Sequence, residues 1–361
     1  MSPHPVRSGY FLIAVFLLSM PNARALESDG ASDLEQDERL QRLEDKFDKY
    51  WMVLESVASR QRGRPHRRRN EEGFRALYTM NRDGSAVQYL VAAPGQISSA
   101  TPEWSHDGNA IAFDSVDRLE QFTRSRLFVY AIDGPFRGMI RDLGYGNVPT
   151  WSPDDRKIAF MLNGTNPAGA QGGIWIMNAD GSERQRVCRG WYPRWSPNGQ
   201  EICLHAYFEQ PQRLHFYHVG TGKIRAILGT PMAVKFGGAN WSPDGKQVVF
   251  IGLRDEHEHV AVIDATGDVD TLRVLYREED RNKKLIGPPS WSPDGKQIVF
   301  AMQYNQQPVG GQHIWHNTYL VSLSAEVPSG PVLLEGKRIG QINRGMMWSP
   351  DSRRIVFSSQ R

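Results

Sequence analysis

The sequence predicts an all-β fold, a six-bladed β-propeller, from three observations. A Trp-Ser-Pro-Asp-Gly-like phrase occurs six times, at Trp104, Trp151, Trp195, Trp241, Trp291 and Trp348, with spacings of 47, 44, 46, 50 and 57 residues. Each copy runs into a short apolar segment: Ile111–Phe113, Ile158–Phe160, Ile202–Leu204, Val248–Phe250, Ile298–Phe300 and Ile355–Phe357. A second phrase, an apolar strand ending in Asp-Gly, recurs half a unit later at 76–84, 127–134 and 174–181, with weaker copies at 214–220, 260–267 and 319–323. Strand-like repeats of this period indicate one four-stranded sheet per unit.

Within the phrase, proline sets φ for a tight turn, Asp or Asn caps it, and Gly takes the left-handed position that follows. The tryptophan is large enough to fill the wedge between neighbouring sheets. Six separated carboxylates of this kind are turn groups, because a cation site needs several oxygens converging on one point. The chain enters the repeats with an outer strand pair near residue 76 and leaves with an inner pair at Trp348–Ser358. The last blade is therefore expected to be completed by strands from both chain ends, which removes exposed sheet edges.

The phrases at 291–300 and 174–182 resemble the propeller repeat of the TolB family, the periplasmic component of the Tol-Pal system. The resemblance covers roughly 74–361 and extends to a superfamily that includes peptidase-attached propellers and propeller lyases. It implies a periplasmic protein that binds a cell-envelope protein or lipoprotein. The α/β domain that precedes the propeller in TolB is expected to be missing here.

Before the repeats, residues 1–25 read as an export signal: Arg7, the apolar stretch Tyr10–Met20, and a small-residue cleavage site at 23–25. The apolar stretch is short of the roughly 20 residues that span a bilayer, so no stable span is expected after cleavage. In residues 26–59, Ser32 and Glu35 form a capping box, and Leu40, Leu43, Phe47, Tyr50, Leu54 and Val57 follow a heptad spacing. This predicts an N-terminal helix that either docks on the propeller or self-associates as a coiled coil through 34–58. Residues 60–73 form an arginine-rich solvated linker, and 74–361 the propeller. The whole chain carries a net charge of +3, and losing Arg7 and Arg24 with the signal leaves +1, which argues against nucleic acid as a partner. Cys188 and Cys203 lie in apolar strand contexts and read as buried thiols, although an exported protein permits a disulfide.

In a propeller the chain changes face at every strand, so the two turn phrases share one face and the remaining connections share the other. The second set reads as long and irregular: 115–126, 163–173, 229–238, 277–287, 303–317 and 336–345. Variable loops on a rigid scaffold concentrate function. The candidate binding residues on that face are Arg189, Trp191, Tyr192, Arg194, Lys235, Phe236, Asn240, Lys284, Arg338 and Arg344. Aromatic and cationic anchors around a funnel suit capture of a peptide or protein loop. The residues before the six tryptophans (Glu103, Thr150, Arg194, Asn240, Ser290 and Met347) are mostly polar, as expected of a wet channel mouth.

No Gly-x-Ser-x-Gly elbow is present, and Gly220–Lys223 lacks the first glycine of a phosphate loop. The reading is thus a non-catalytic exported scaffold with no cofactor. The alternative is a sugar-processing propeller lyase or hydrolase with a metal in the funnel, held by His313 and His316 in a long loop, with His257 and His259 as further donors.

Overall fold

Alternating apolar residues and turn chemistry shape nearly every segment into a strand bounded by a tight turn. The computed structural model describes residues 74–359, apart from 119–121, 165, 207–212, 228–231, 281–282, 307–312, 323–331 and 335–342. The export signal, the N-terminal helix and the basic linker expected at 1–73 lie outside the described residues.

Among the described residues there are six four-stranded antiparallel sheets. The chain opens with β1 (Ala76–Asn81) and β2 (Gln88–Val91). Blade I follows as β3 (Ser98–Trp104), β4 (Ala110–Val116), β5 (Arg126–Ala131) and β6 (Ile140–Tyr145). Blade II is β7 (Asn147–Trp151), β8 (Lys157–Leu162), β9 (Gly173–Asn178) and β10 (Gln185–Cys188). Blade III is β11 (Trp191–Trp195), β12 (Glu201–Ala206), β13 (Arg213–His218) and β14 (Ile224–Ala226). Blade IV is β15 (Ala233–Trp241), β16 (Gln247–Arg254), β17 (His257–Asp264) and β18 (Arg273–Arg277). Blade V is β19 (Lys283–Trp291), β20 (Gln297–Gln306), β21 (His313–Ser322) and β22 (Val332–Leu333). Blade VI takes β23 (Asn343–Trp348) and β24 (Arg354–Ser359) from the end of the chain and β1 and β2 from its start, in the order β2-β1-β24-β23. β1 pairs with β24 from Ala76 opposite Ser359 to Asn81 opposite Arg354, so the expected closure is present in register.

The ring is also closed by packing. The first strands touch in sequence, β3 to β7, β11, β15, β19 and β23, and β23 returns to β3. Six apolar clusters each span one seam between adjacent blades. At the seam between blades I and II, for example, Ala112 and Leu127 meet Trp151, Ile158 and Phe160. The aromatic residue that ends the apolar run (Phe113, Phe160, Phe250, Phe300 and Phe357) is fully buried in five blades, and Leu204 fills that place in blade III. Burying one such side chain stabilises the fold by roughly 1.5–3 kcal/mol. Each phrase tryptophan packs in the seam with the preceding blade, the wedge role its size suggested.

Candidate binding site

One face of the ring is built by the turn phrase. In all six copies the serine hydroxyl donates to the Asp or Asn side chain, as from Ser242 to Asp244 Oδ1 at 2.6 Å. The same serine accepts the N–H that starts the next strand, as from Gln247 at 2.9 Å. The aspartates are thus consumed by their own turns, and hydrogen bonds hold Asp154 and Asp244 below the usual carboxylate range, serine contributing most. Serine's part in the phrase was not read from the sequence. Not every connection on this face is short: β5 and β6 are joined through 132–139, and β17 and β18 through a 3-10 turn at Val269–Thr271.

The opposite face is set up by a feature that pattern reading missed, a bulge in every first strand. The ladder register shifts between Ala100 and Glu103, Asn147 and Thr150, Trp191 and Arg194, Val234 and Ala239, Ile286 and Ser290, and Arg344 and Met347. Each bulge contains a left-handed residue: Thr101, Val148, Tyr192, Gly238, Gly287 or Gly345. Pro102, Pro149 and Pro193 follow the first three, at positions where a missing N–H breaks no ladder bond. A bulge bends the strand and re-aims the side chains around it.

What they aim is the throat. Arg194 Nη1 of blade III stands 3.6 Å from Glu103 Oε2 of blade I, and Asn240 Nδ2 of blade IV donates to Met347 Sδ of blade VI at 3.5 Å. Side chains from blades two apart meet only by converging on the ring axis. Thr150 Oγ1 donates to Glu103 Oε1 at 2.8 Å, and the Trp195 N–H donates back to Thr150 at 3.3 Å. Three of the carbonyls at these positions, on Glu103, Arg194 and Ser290, accept from the indoles of Trp151, Trp241 and Trp348. The expectation of a wet mouth is corrected here. Arg194 is only 4% exposed and Thr150 1%, and Ser290 and Met347 are buried as well, whereas Glu103 and Asn240 are half-buried.

A second carboxyl stands beside this ring. Asp114 of β4 is buried and accepts the Val148 N–H at 3.0 Å. Burial pushes it up to about 6, against the opposing pull of that N–H, the Thr101 hydroxyl and Arg194. Burial also raises the Glu103 carboxyl, opposed by Arg194 and the Thr150 hydroxyl. Glu103 Oε2, Asn147 Oδ1 and Arg194 Nε are buried without a hydrogen-bond partner among the described residues.

The remaining predicted residues form a rim over blades III to V. Arg189 is exposed and Trp191 and Tyr192 are half-buried at the junction of β10 and β11. Tyr192 lies against Gly238 of blade IV so closely that an added Cβ there would come within 2.9 Å of the tyrosine Cβ. Lys235 Nζ donates to Glu258 Oε1 and to the Leu285 carbonyl, both at 2.7 Å, and Lys284 Nζ lies 3.7 Å from the same carboxylate. Glu258 is itself buried and accepts the Leu285 N–H at 2.6 Å, so it staples blade IV to blade V beneath the lysines. Burial lowers the Lys235 ammonium below the usual lysine range, with Glu258 opposing. Glu258 was missed as a rim residue because its His-Glu-His setting drew attention to its neighbours.

Phe236 lies on β15 and Arg344 on β23, whereas Arg338 falls outside the described residues. The expected loops on this face are partly strand. β20 extends to Gln306 and β21 starts at His313, so His313 and His316 sit on a strand paired with Gln306 and Gln303 rather than in a loop. β21 is the third strand of its blade, two strands away from the axis-lining β19. β16 and β17 join through a two-residue turn, Asp255 and Glu256, both left-handed. His257 Nδ1 is 3.0 Å from the Glu278 carbonyl, and among the described residues no three His, Cys, Asp or Glu side chains cluster to hold a metal. Cys188 and Cys203 are free and buried, and burial pushes both thiols up to about 12. No helix among the described residues is long and apolar enough to cross a membrane.

Comparison with known proteins places this architecture. A family model described as the TolB beta propeller domain matches residues 66–309. An uncharacterized protein of Agrobacterium fabrum is 25% identical over 203 residues, which is 50% of this chain and 63% of that protein, so this chain spans less than two thirds of that relative's length. A solved structure from Agrobacterium tumefaciens, described as a TolB candidate, superposes with a TM-score of 0.59 at 15% identity, covering 79% of this chain and 98% of that one. TolB from Acinetobacter baumannii gives a TM-score of 0.49 at 16% identity over 80% of this chain and 64% of that one.

Proposed function

The chain belongs to the TolB β-propeller domain family, and from that premise we propose that it is a non-catalytic scaffold that binds a protein or peptide of the cell envelope through its long-loop face. The observation that supports this reading most is the rim over blades III to V. There Trp191, Tyr192, Lys235 and Lys284 come from three consecutive blades, the two lysines gathered on the buried Glu258 carboxylate and Tyr192 packed against Gly238. Aromatic and cationic side chains held rigidly at a surface lose little conformational entropy on binding, which is the usual make-up of a protein-recognition patch. The Glu103–Arg194 and Asn240–Met347 contacts close the axis beneath, so the face works as a dish with a floor. An exported, periplasmic location fits the signal-like residues 1–25, and self-association through 34–58 would add valency.

The test is affinity capture from the native cell envelope with the full chain and a Trp191→Ala/Lys284→Glu double variant side by side. A partner retained by the native chain and lost by the variant is the expected result. Equal capture by both would remove the rim as the site, and turnover of an envelope sugar by the purified chain would end the scaffold reading.

A further inference from the structure

The throat holds three ionisable groups: Glu103 on β3, Asp114 on β4 and Arg194 on β11. Two carboxyls, the buried Asp114 and the half-buried Glu103, share one guanidinium. Fully ionised, the cluster carries one uncompensated negative charge inside the ring, which is unfavourable in a low-dielectric site. Nor is it a settled salt bridge. The closest Arg194–Glu103 approach is 3.6 Å, and Glu103 Oε2 and Arg194 Nε lack hydrogen-bond partners among the described residues. Asp114 meanwhile performs a mechanical task. Its carboxylate accepts the N–H of Val148, a β-branched residue held at φ 51° in the bulge of the next blade. Such a residue is a conformational outlier that persists only while its surroundings hold it.

We propose that the throat is a proton-linked latch: on mild acidification the cluster takes up one proton at Asp114, and that proton loosens the left-handed bulge at Val148. The groups acting on Asp114 are the Thr101 hydroxyl from β3, the Val148 N–H from β7 and Arg194 from β11; Arg194 also faces Glu103 of β3, which in turn feels His106. A neutral acid accepts a hydrogen bond more weakly than a carboxylate, so protonation of the still-buried Asp114 weakens the bond that holds the Val148 N–H. Asn147, next in the chain, has a buried side-chain oxygen without a partner among the described residues and leads directly into the long-loop face. The latch stands whether or not that face binds a partner.

The experiment follows the Val148 amide in the full chain labelled with 15N-valine, titrated from about pH 7.5 to about pH 4.5. The expected result is one sigmoidal shift of that amide with its midpoint at about 6, accompanied on the acid side by a lower protection factor for that amide once its base-catalysed intrinsic exchange rate is divided out. A flat Val148 resonance, or the same titration in Asp114→Asn, would overturn the proposal. Should Asp114→Asn fail to fold, Glu103→Gln decides. Removing the neighbouring negative charge must move the Val148 midpoint to lower pH, and an unmoved midpoint refutes the sharing of one cation by two carboxyls.

Discussion

The two halves of the ring make the same bulge by different means. In blades I to III the left-handed position is filled by Thr101, Val148 and Tyr192; in blades IV to VI it is filled by Gly238, Gly287 and Gly345, and proline follows it in blades I, II, III and V alike. Glycine adopts that conformation without strain, whereas a residue with a Cβ costs of order 1–3 kcal/mol there. The strained half is also the charged half. It contributes Glu103, Asp114 and Arg194 to the throat, while the glycine half contributes Asn240, Ser290 and Met347. At the axis, strain and buried charge therefore sit together, and neither is needed to make the bulge, since the first strands of the other three blades make it without either. This pattern suits a site whose geometry is held against its local preference.

The sharpest way to break the comparison is to discharge the charged half. Arg194→Met should leave Glu103 and the buried Asp114 with no cation and destabilise the fold by about 3–5 kcal/mol, partly relieved when a carboxyl takes up a proton. Adding Glu103→Gln should restore much of that loss, because one of the two carboxyls left without a cation is then neutral and only Asp114 remains. Denaturant midpoints of the two single variants and the double variant measure the coupling. Additive effects would mean that the 3.6 Å pair is an accident of proximity.

The glycine half can be strained to match. Gly345 sits at φ +59°, and a Cβ added there would come within 3.1 Å of Thr101 Cα and 3.2 Å of Pro102 Cδ in the neighbouring bulge. Gly345→Ala should therefore cost at least the 1 to 3 kcal/mol or so of a left-handed residue. Thermal unfolding of Gly345→Ala against the native chain reads this directly. A neutral result would show that the bulges tolerate side chains equally all round the ring.

How much of this could be read from residues alone follows from the range of each interaction. The turn phrase, the wedge tryptophans and the seal of β1 against β24 follow local rules repeated six times, so the period exposed them. The bulges left only a faint trace. Pro102, Pro149 and Pro193 stand two residues before their tryptophans, and Gly238 and Gly345 three before, but a bulge is a mismatch between two strands and shows only in their pairing. The Glu103–Arg194 contact has no local signature whatever. Polarity before each tryptophan was visible, but whether it faced water or another blade was not. His313 and His316 looked like loop residues because β20 and β21 outrun the repeat length that defined the other blades.

The smallest expected effect tests whether the difference between halves reaches the turn face. There, blade I carries His106 where the five other copies have proline, and blade II carries Asp155 where four others have glycine and blade VI has Ser352. The two departures fit each other. Proline has no N–H, whereas His106 donates its own to Asp155 Oδ1 at 2.8 Å, the Asp107 N–H donates to Oδ2 at 2.9 Å, and the His106 ring adds a 2.9 Å contact. That ring contact is the main reason the imidazole is raised above its usual range, with burial opposing. A raised histidine stabilises the folded state most below its ordinary value near 6.5, and the contribution fades as pH rises through the folded value. Asp114 also loses its contribution as pH rises, but in a lower window, between the ordinary Asp range and about 6. Only the difference between the native chain and Asp155→Gly isolates the histidine. That difference should shrink by some tenths of a kcal/mol from pH 6 to pH 8, on the scale of a half-exposed ion pair. It should not vanish, since the two backbone N–H bonds to Asp155 do not titrate. A difference that stays constant with pH would mean that the backbone bonds alone tie blade I to blade II.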